Sequence, residues 1–123
     1  MGTIRRFEDL ECWQVARTFV RLVYRLTRQD RFAKDFELVG QVRRSGVSSM
    51  ANIAEGFHRK SIRDFVKFRD YSRSSIAETI RHCYVALDQE YITETDMADL
   101  KSHAVHAWKK VNEFIAYLNK IAK

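Results

Sequence analysis

The sequence predicts an all-α protein folded as an up-down-up-down antiparallel four-helix bundle. The 123 residues include no proline and only four glycines, so nothing need interrupt long helices and little supports the tight turns of a many-stranded sheet. Apolar residues recur at intervals of three and four in four successive segments, which is typical of amphipathic helices. Because the links between these segments are short, we expect neighbouring helices to pack antiparallel in a single domain spanning residues 1–123.

The first predicted helix covers about residues 9–28, and the carboxylate of Asp9 is expected to cap its first backbone amides. Two apolar rows run side by side along it. One row contains Cys12, Val15, Phe19, Leu22 and Leu26, and the other contains Trp13, Ala16, Val20 and Val23. One row can face the core of a bundle, so we expect the second row to need a further cover, which a homo-oligomer would provide.

An arginine stripe runs along the polar side of the first helix. Its members are Arg17, Arg21, Arg25 and Arg28, spaced by four, four and three residues, with no acidic residue among them. A charged stripe is usually a solvated face. Guanidinium groups repeated on one face nevertheless repel one another and gain from phosphate partners. With a formal net charge of +6, the stripe is the best evidence in the sequence for RNA or DNA binding.

The second predicted helix covers about residues 36–56, after a loop over residues 29–34. Asp35 is expected to cap its start, and Gly56 to end it in a left-handed conformation. Small side chains make this helix thin at Ser45, Gly46, Ser48, Ser49 and Ala51. A polar stripe along it consists of Gln41, Arg44, Ser48, Asn52, Glu55 and Arg59. Such a stripe is either a binding surface or a buried polar seam.

The third predicted helix covers about residues 62–89 and opens with a capping box formed by Ser61 and Asp64. It carries a row of small polar residues, namely Ser72, Ser75, Thr79 and His82. Because buried polar groups must be hydrogen-bonded, we expect this row and the polar stripe to satisfy each other, between these two helices or between subunits. In that interpretation Asn52 and Glu55 are packing determinants.

The fourth predicted helix covers about residues 95–121 and has the most regular apolar spacing in the chain. Its start is assigned either to Thr93 paired with Asp96 or to Thr95 alone. The residues expected on its buried face are Met97, Leu100, Ala104, Ala107, Val111, Phe114, Leu118 and Ile121.

No constellation of catalytic or metal-binding residues is apparent. A di-metal bundle site needs a Glu-x-x-His motif on each of two helices, and only Glu55 with His58 fits. His103 and His106 supply two of the roughly four ligands of a structural zinc site. Catalytic triads and phosphate-binding glycine loops are also missing. The sequence therefore predicts a protein that is not an enzyme and has no cofactor.

The expected environment is the cytoplasm. No apolar run approaches the ~20 residues of a membrane span, and the amino terminus lacks an apolar signal core, so no membrane partner is predicted. Cys12 and Cys83 lie far apart among apolar neighbours, which favours reduced thiols packed as small hydrophobic groups.

Four segments of the chain carry a family resemblance. They span residues 7–13, 41–44, 52–56 and 72–78, and their motif residues are Gln41, Arg43, Arg44, Asn52, Glu55, Gly56, Arg73, Ser75 and Glu78. Together they resemble the bacterial four-helix-bundle family that includes the 23S rRNA intervening-sequence proteins. The chain departs from the family pattern at Met50, where proline is usual, and at Ser74, where glycine is usual. We interpret the motif residues as determinants of structure or assembly.

The resemblance implies a homo-oligomer, commonly a pentamer, with a basic surface. It also implies a distant relationship to the accessory protein of diversity-generating retroelements, a nucleic-acid-binding partner of a reverse transcriptase. Five copies would raise the formal charge from +6 to about +30. Two functions stay open on this evidence: a homo-oligomer that binds RNA or DNA, and a protein-interaction scaffold whose basic face meets an acidic partner.

Overall fold

The computed structural model describes residues 4–122, and within this range the chain is helical and contains no strand. A 3₁₀ turn at Phe7–Asp9 precedes the first long helix. The helices in chain order are α1 (Glu11–Thr27), α2 (Asp30–Lys34), α3 (Phe36–His58), α4 (Ile62–Asp88) and α5 (Glu94–Ile121). The predicted fold class, an all-α four-helix bundle, is confirmed by the four long helices.

The four long helices pack as the corners of a square. α1 lies against α3 and α5, while α4 lies against the same two helices, and the contact between α3 and α4 is the most extensive. Short links join successive long helices, as in an up-down-up-down bundle. The groove between α1 and α5 is therefore on the opposite side of the bundle from the groove between α3 and α4.

The core covers both apolar rows of α1. Ala16, Val20 and Val23 belong to the row that was expected to need a second subunit, and they are only 0%, 8% and 1% exposed. The expectation that a single chain leaves this row uncovered is wrong for these residues. Because α1 sits at a corner and touches both α3 and α5, a wide apolar arc is buried within one chain.

The start of α1 differs from the prediction. Asp9 lies at the end of the 3₁₀ turn, and α1 begins at Glu11 with Leu10 in the N-cap position, where no side-chain hydrogen bond is formed. Leu10 is almost completely buried. Burial of an apolar side chain thus fixes this end of the helix in place of a capping carboxylate.

A short helix replaces the loop predicted over residues 29–34. α2 buries Phe32 in the core, and the ring of Phe32 stacks on that of Tyr91 with 5.4 Å between the ring centres. A single helical turn lets the chain place this aromatic ring under the link between α4 and α5.

Two of the three remaining predicted caps are formed in full. The backbone amide of Leu38 donates to Asp35 at 3.2 Å, and Thr93 and Asp96 form a reciprocal capping box. Ser61 accepts from the backbone amide of Asp64, which is one half of the predicted box.

Gly56 does not end the second predicted helix. α3 continues to His58, so the glycine lies inside the helix and faces α4. A Cβ atom at this position would lie 2.8 Å from the Cβ atom of Phe68 and 3.5 Å from the Cα atom of Phe65. The glycine is needed for the close approach of two helices and not for a left-handed cap.

Both cysteines are free and buried, as predicted. Burial raises the pKa of the Cys12 thiol to about 12, and burial raises the pKa of Cys83 to about 12 as well. Neither thiol ionises appreciably near neutral pH. Among residues 4–122, no helix combines the length and apolar character that crossing a membrane requires.

Candidate nucleic-acid interface and the opposite polar groove

An open groove of about 500 Å³ lies between α1 and α5, and part of the arginine stripe forms its wall. We call it the arginine groove. The helix period places Arg21, Arg25 and Arg28 on the same side of α1, next to the buried face that holds the helix in the bundle. The residues lining the groove are Thr18, Val20, Arg21, Leu22, Tyr24, Arg25, Arg28, Asp99 and His103.

Arg17 belongs to the stripe in sequence but does not line the groove. Its guanidinium lies over the ring of Trp13, 5.6 Å from the ring centre. The four arginines predicted as a uniform binding face are therefore divided into three that share a groove and one that packs on an aromatic ring.

Arg25 has an acidic partner that the stripe was predicted to lack. Asp99 of α5 places one carboxylate oxygen 3.8 Å from Nη2 of Arg25. Its other carboxylate oxygen is 3.3 Å from Nδ1 of His103. The same nitrogen lies 2.8 Å from the backbone oxygen of Asp99. Across residues 4–122, Arg21 and Arg28 form no ion pair. The sequence analysis considered His103 only as a possible metal ligand and did not single out Asp99, although the two residues are four positions apart beside the apolar stripe of α5.

On the opposite side of the bundle, hydroxyl groups join α3 to α4. Three hydrogen bonds cross between the helices: Ser45 with Thr79 at 2.8 Å, Ser75 to Ser48 at 3.0 Å, and Ser72 to the backbone oxygen of Ser49 at 2.7 Å. All these contacts are buried or partly buried. We call them the hydroxyl seam. Short polar side chains allow the close packing of α3 and α4 while every hydroxyl keeps a partner.

The polar stripe contributes less to this seam than was predicted. Of its six residues only Ser48 bonds across to α4. Asn52 donates to the backbone oxygen of Ser48 within its own helix at 2.8 Å, and the exposed Glu55 pairs with Arg59 at 2.8 Å. Within one chain, Glu55 is therefore not a packing determinant, because its carboxylate points to solvent.

Several motif residues are explained by contacts inside the chain. Arg43 joins α3 to α1, since its Nε donates to the hydroxyl of Thr27 at 2.9 Å and its guanidinium lies 4.4 Å from the ring centre of Tyr24. Arg73 of α4 lies over the ring of Trp108 of α5 at 5.7 Å. Ser75 belongs to the hydroxyl seam. These residues hold neighbouring helices together.

Other motif residues surround a groove of about 350 Å³ between α3 and α4, which we call the motif groove. It is lined by Gln41, Arg44, Ser45, Ser48, Glu78 and His82. The exposed carboxylate of Glu78 lies 3.6 Å from Nε2 of His82. In the part of the chain that the structure describes, Arg44 forms no ion pair although it shares the groove with Glu78. Two opposite charges are thus available to a partner.

The comparison with known families matches this chain over residues 8–113 to the 23S rRNA-intervening sequence protein model. The chain belongs to this family. The family resemblance seen in the sequence is therefore confirmed, and it covers all of α1–α4 and much of α5.

A solved structure shares the fold of this family member. It is a protein of unknown function from the S23 ribosomal protein family of Bacteroides thetaiotaomicron, with 24% sequence identity and a TM-score of 0.74. The match covers 85% of this chain and 95% of the other. At this identity the likeness shows the fold alone. No curated protein matches the sequence.

Proposed function

We propose that this chain is a non-enzymatic, homo-oligomeric protein that binds nucleic acid through the arginine groove. The observation that carries the proposal is the placement of Arg21, Arg25 and Arg28 along one open groove whose lining includes a single carboxylate. Three guanidinium groups on one wall repel one another in the empty groove, and phosphate groups relieve that repulsion.

The spacing of the three arginines suits a nucleic-acid backbone. Arg21 and Arg28 are seven residues apart on α1, which corresponds to about 10 Å along the helix axis, or the rise of about three nucleotides along one strand of a B-DNA duplex. Contacts to phosphate carry no base code. We therefore expect binding with steep salt dependence and little sequence preference.

RNA is the first nucleic acid to test, because the family is named for an intervening sequence of 23S rRNA. A titration of the protein against single-stranded and duplex RNA and DNA, repeated at several salt concentrations, tests the proposal. The protein-scaffold function makes the opposite forecast: no affinity for any nucleic acid at low salt, and co-purification of one protein after nuclease treatment.

Self-association is proposed for the side of the bundle that carries the motif groove. Arg44 and Glu78 offer opposite charges there, and the same two helices expose apolar side chains, since Val47 of α3 is 41% exposed and Tyr71 of α4 is 46% exposed. A second copy that covers this side leaves the arginine groove free. In a pentamer, five such grooves would combine into a strongly basic surface.

Cysteine labelling can locate this contact because the native thiols are buried, with pKa values raised to about 12. We expect Ala51→Cys, on the outer face of α3, to react slowly with maleimide in the native protein, and Thr18→Cys, in the arginine groove, to react fast. Both should react fast in urea. Light scattering should give a mass above the 14.6 kDa of one chain.

A single-chain mass at micromolar concentration would exclude the oligomer. Equal labelling of the two native variants, in a protein of higher mass, would move the subunit contact away from the motif groove.

A further inference from the structure

Asp99 is the one carboxylate among the residues that line the arginine groove. It reaches in from α5 and lies between two nitrogen-bearing side chains, 3.8 Å from Arg25 and 3.3 Å from His103. Its side chain is 44% exposed, so solvent and ligands have access to it. The groove thus holds one negative group where the proposed function requires negative phosphates.

A carboxylate and a phosphate use the same donors of an arginine. Both accept hydrogen bonds from the planar guanidinium, often in pairs, so Arg25 cannot serve Asp99 and a phosphate fully at the same time. The observed contact of 3.8 Å is too long for a hydrogen bond. Ion pairs of this exposed kind are weak, and a ligand with more negative charge can displace them.

We propose that Asp99 is a built-in competitor for phosphate in the arginine groove, an inference that rests on the proposed nucleic-acid binding. Without a bound strand, the charge of Asp99 attracts Arg25 toward α5. When a strand docks on Arg21 and Arg28, Arg25 turns from the carboxylate to a phosphate, and Asp99 is left beside that phosphate as a like charge. Asp99 therefore lowers the affinity of the groove and keeps the binding reversible.

Asp99→Asn tests the competitor directly, because asparagine keeps the shape of the side chain and removes its charge. With a short fluorescein-labelled single-stranded RNA at low salt, we expect the variant to bind about fivefold more tightly per engaged groove. The log–log salt slope should change little, because Arg25 contacts a phosphate in the complexes of both wild type and variant.

Asp88→Asn is the matched control. It removes the same charge from an exposed residue of α4, a helix that does not line the arginine groove. We expect little gain in affinity from this change. Thermal melting and mass should be the same for wild type and both variants, so that altered folding or assembly is detected separately.

A double-mutant cycle with Arg25→Gln separates competition for Arg25 from a general charge effect. If Asp99 acts through Arg25, most of the gain in affinity from Asp99→Asn disappears in the Arg25→Gln background.

The competitor proposal is overturned if Asp99→Asn binds no tighter than wild type, if Asp88→Asn gives the same gain, or if the gain is undiminished without Arg25. Each of these results leaves nucleic-acid binding intact, whereas a wild-type protein without affinity for RNA or DNA removes the proposed function itself and the competitor with it.

Discussion

The combined replacement of Arg21, Arg25 and Arg28 by glutamine is expected to weaken nucleic-acid binding by roughly 10²- to 10³-fold at low salt. The three side chains line one groove and are exposed, so the change removes up to three phosphate contacts per subunit without opening the core. Each lost contact should also reduce the log–log salt slope by about 0.7 to 0.9. Fluorescence anisotropy with labelled RNA at several salt concentrations measures both quantities.

Arg17→Gln is the control for this triple variant. Arg17 has the same charge and lies on the same helix, but its guanidinium packs over Trp13 outside the groove. We expect a small loss of affinity. If the triple variant keeps the affinity and salt slope of wild type, the groove is not the binding surface. If Arg17→Gln alone is as damaging as the triple change, the whole stripe binds and the groove has no special role.

Gly56→Ala is expected to destabilise the fold by about 1–3 kcal/mol, even though alanine is the better helix former. The added methyl group would lie 2.8 Å from the Cβ atom of Phe68, which is fixed to the backbone of α4 and cannot swing away. α3 and α4 must therefore move apart, and the hydroxyl seam between them would lengthen. Chemical denaturation followed by circular dichroism measures the change in the free energy of unfolding.

Gly46→Ala provides the comparison for Gly56→Ala. Gly46 is also buried inside α3, but a Cβ atom there would meet the side chain of Val23 at 3.6 Å, an ordinary van der Waals distance. The helix propensity of alanine should then leave stability unchanged or raise it by up to about 1 kcal/mol. Equal destabilisation by the two substitutions would contradict the assignment of Gly56 as the point of closest approach.

The sequence predicted the long helices well because each one repeats its apolar spacing over many turns. α5 illustrates this, since its predicted start differs from the observed one by a single residue. α2 was missed because five residues are too few to show a helical period. Gly56 was misassigned because glycine fits both a helix end and a close helix contact, and the neighbouring helix decides between them.

The candidate site was predictable only as far as it lies on one helix. Arg21, Arg25 and Arg28 follow from the helix period, whereas the approach of Asp99 depends on which helix packs beside α1. The hydroxyl row of α4 was predicted to need partners. The partners of this row include Ser45 and Ser49, which directly follow the polar-stripe residues Arg44 and Ser48 in the sequence. The sequence did not identify them because the register of two packed helices is set by their whole contact.

The most direct test of the central claim is the salt dependence of RNA binding by the wild-type protein, with the mass of the protein measured under the same conditions. Binding through the arginine groove predicts that log K falls linearly with log salt, with a slope of about −2 for each groove that makes three phosphate contacts with a single strand. RNAs of different sequence should give similar slopes and affinities. No detectable affinity at low salt, or an affinity that salt leaves unchanged, would contradict it.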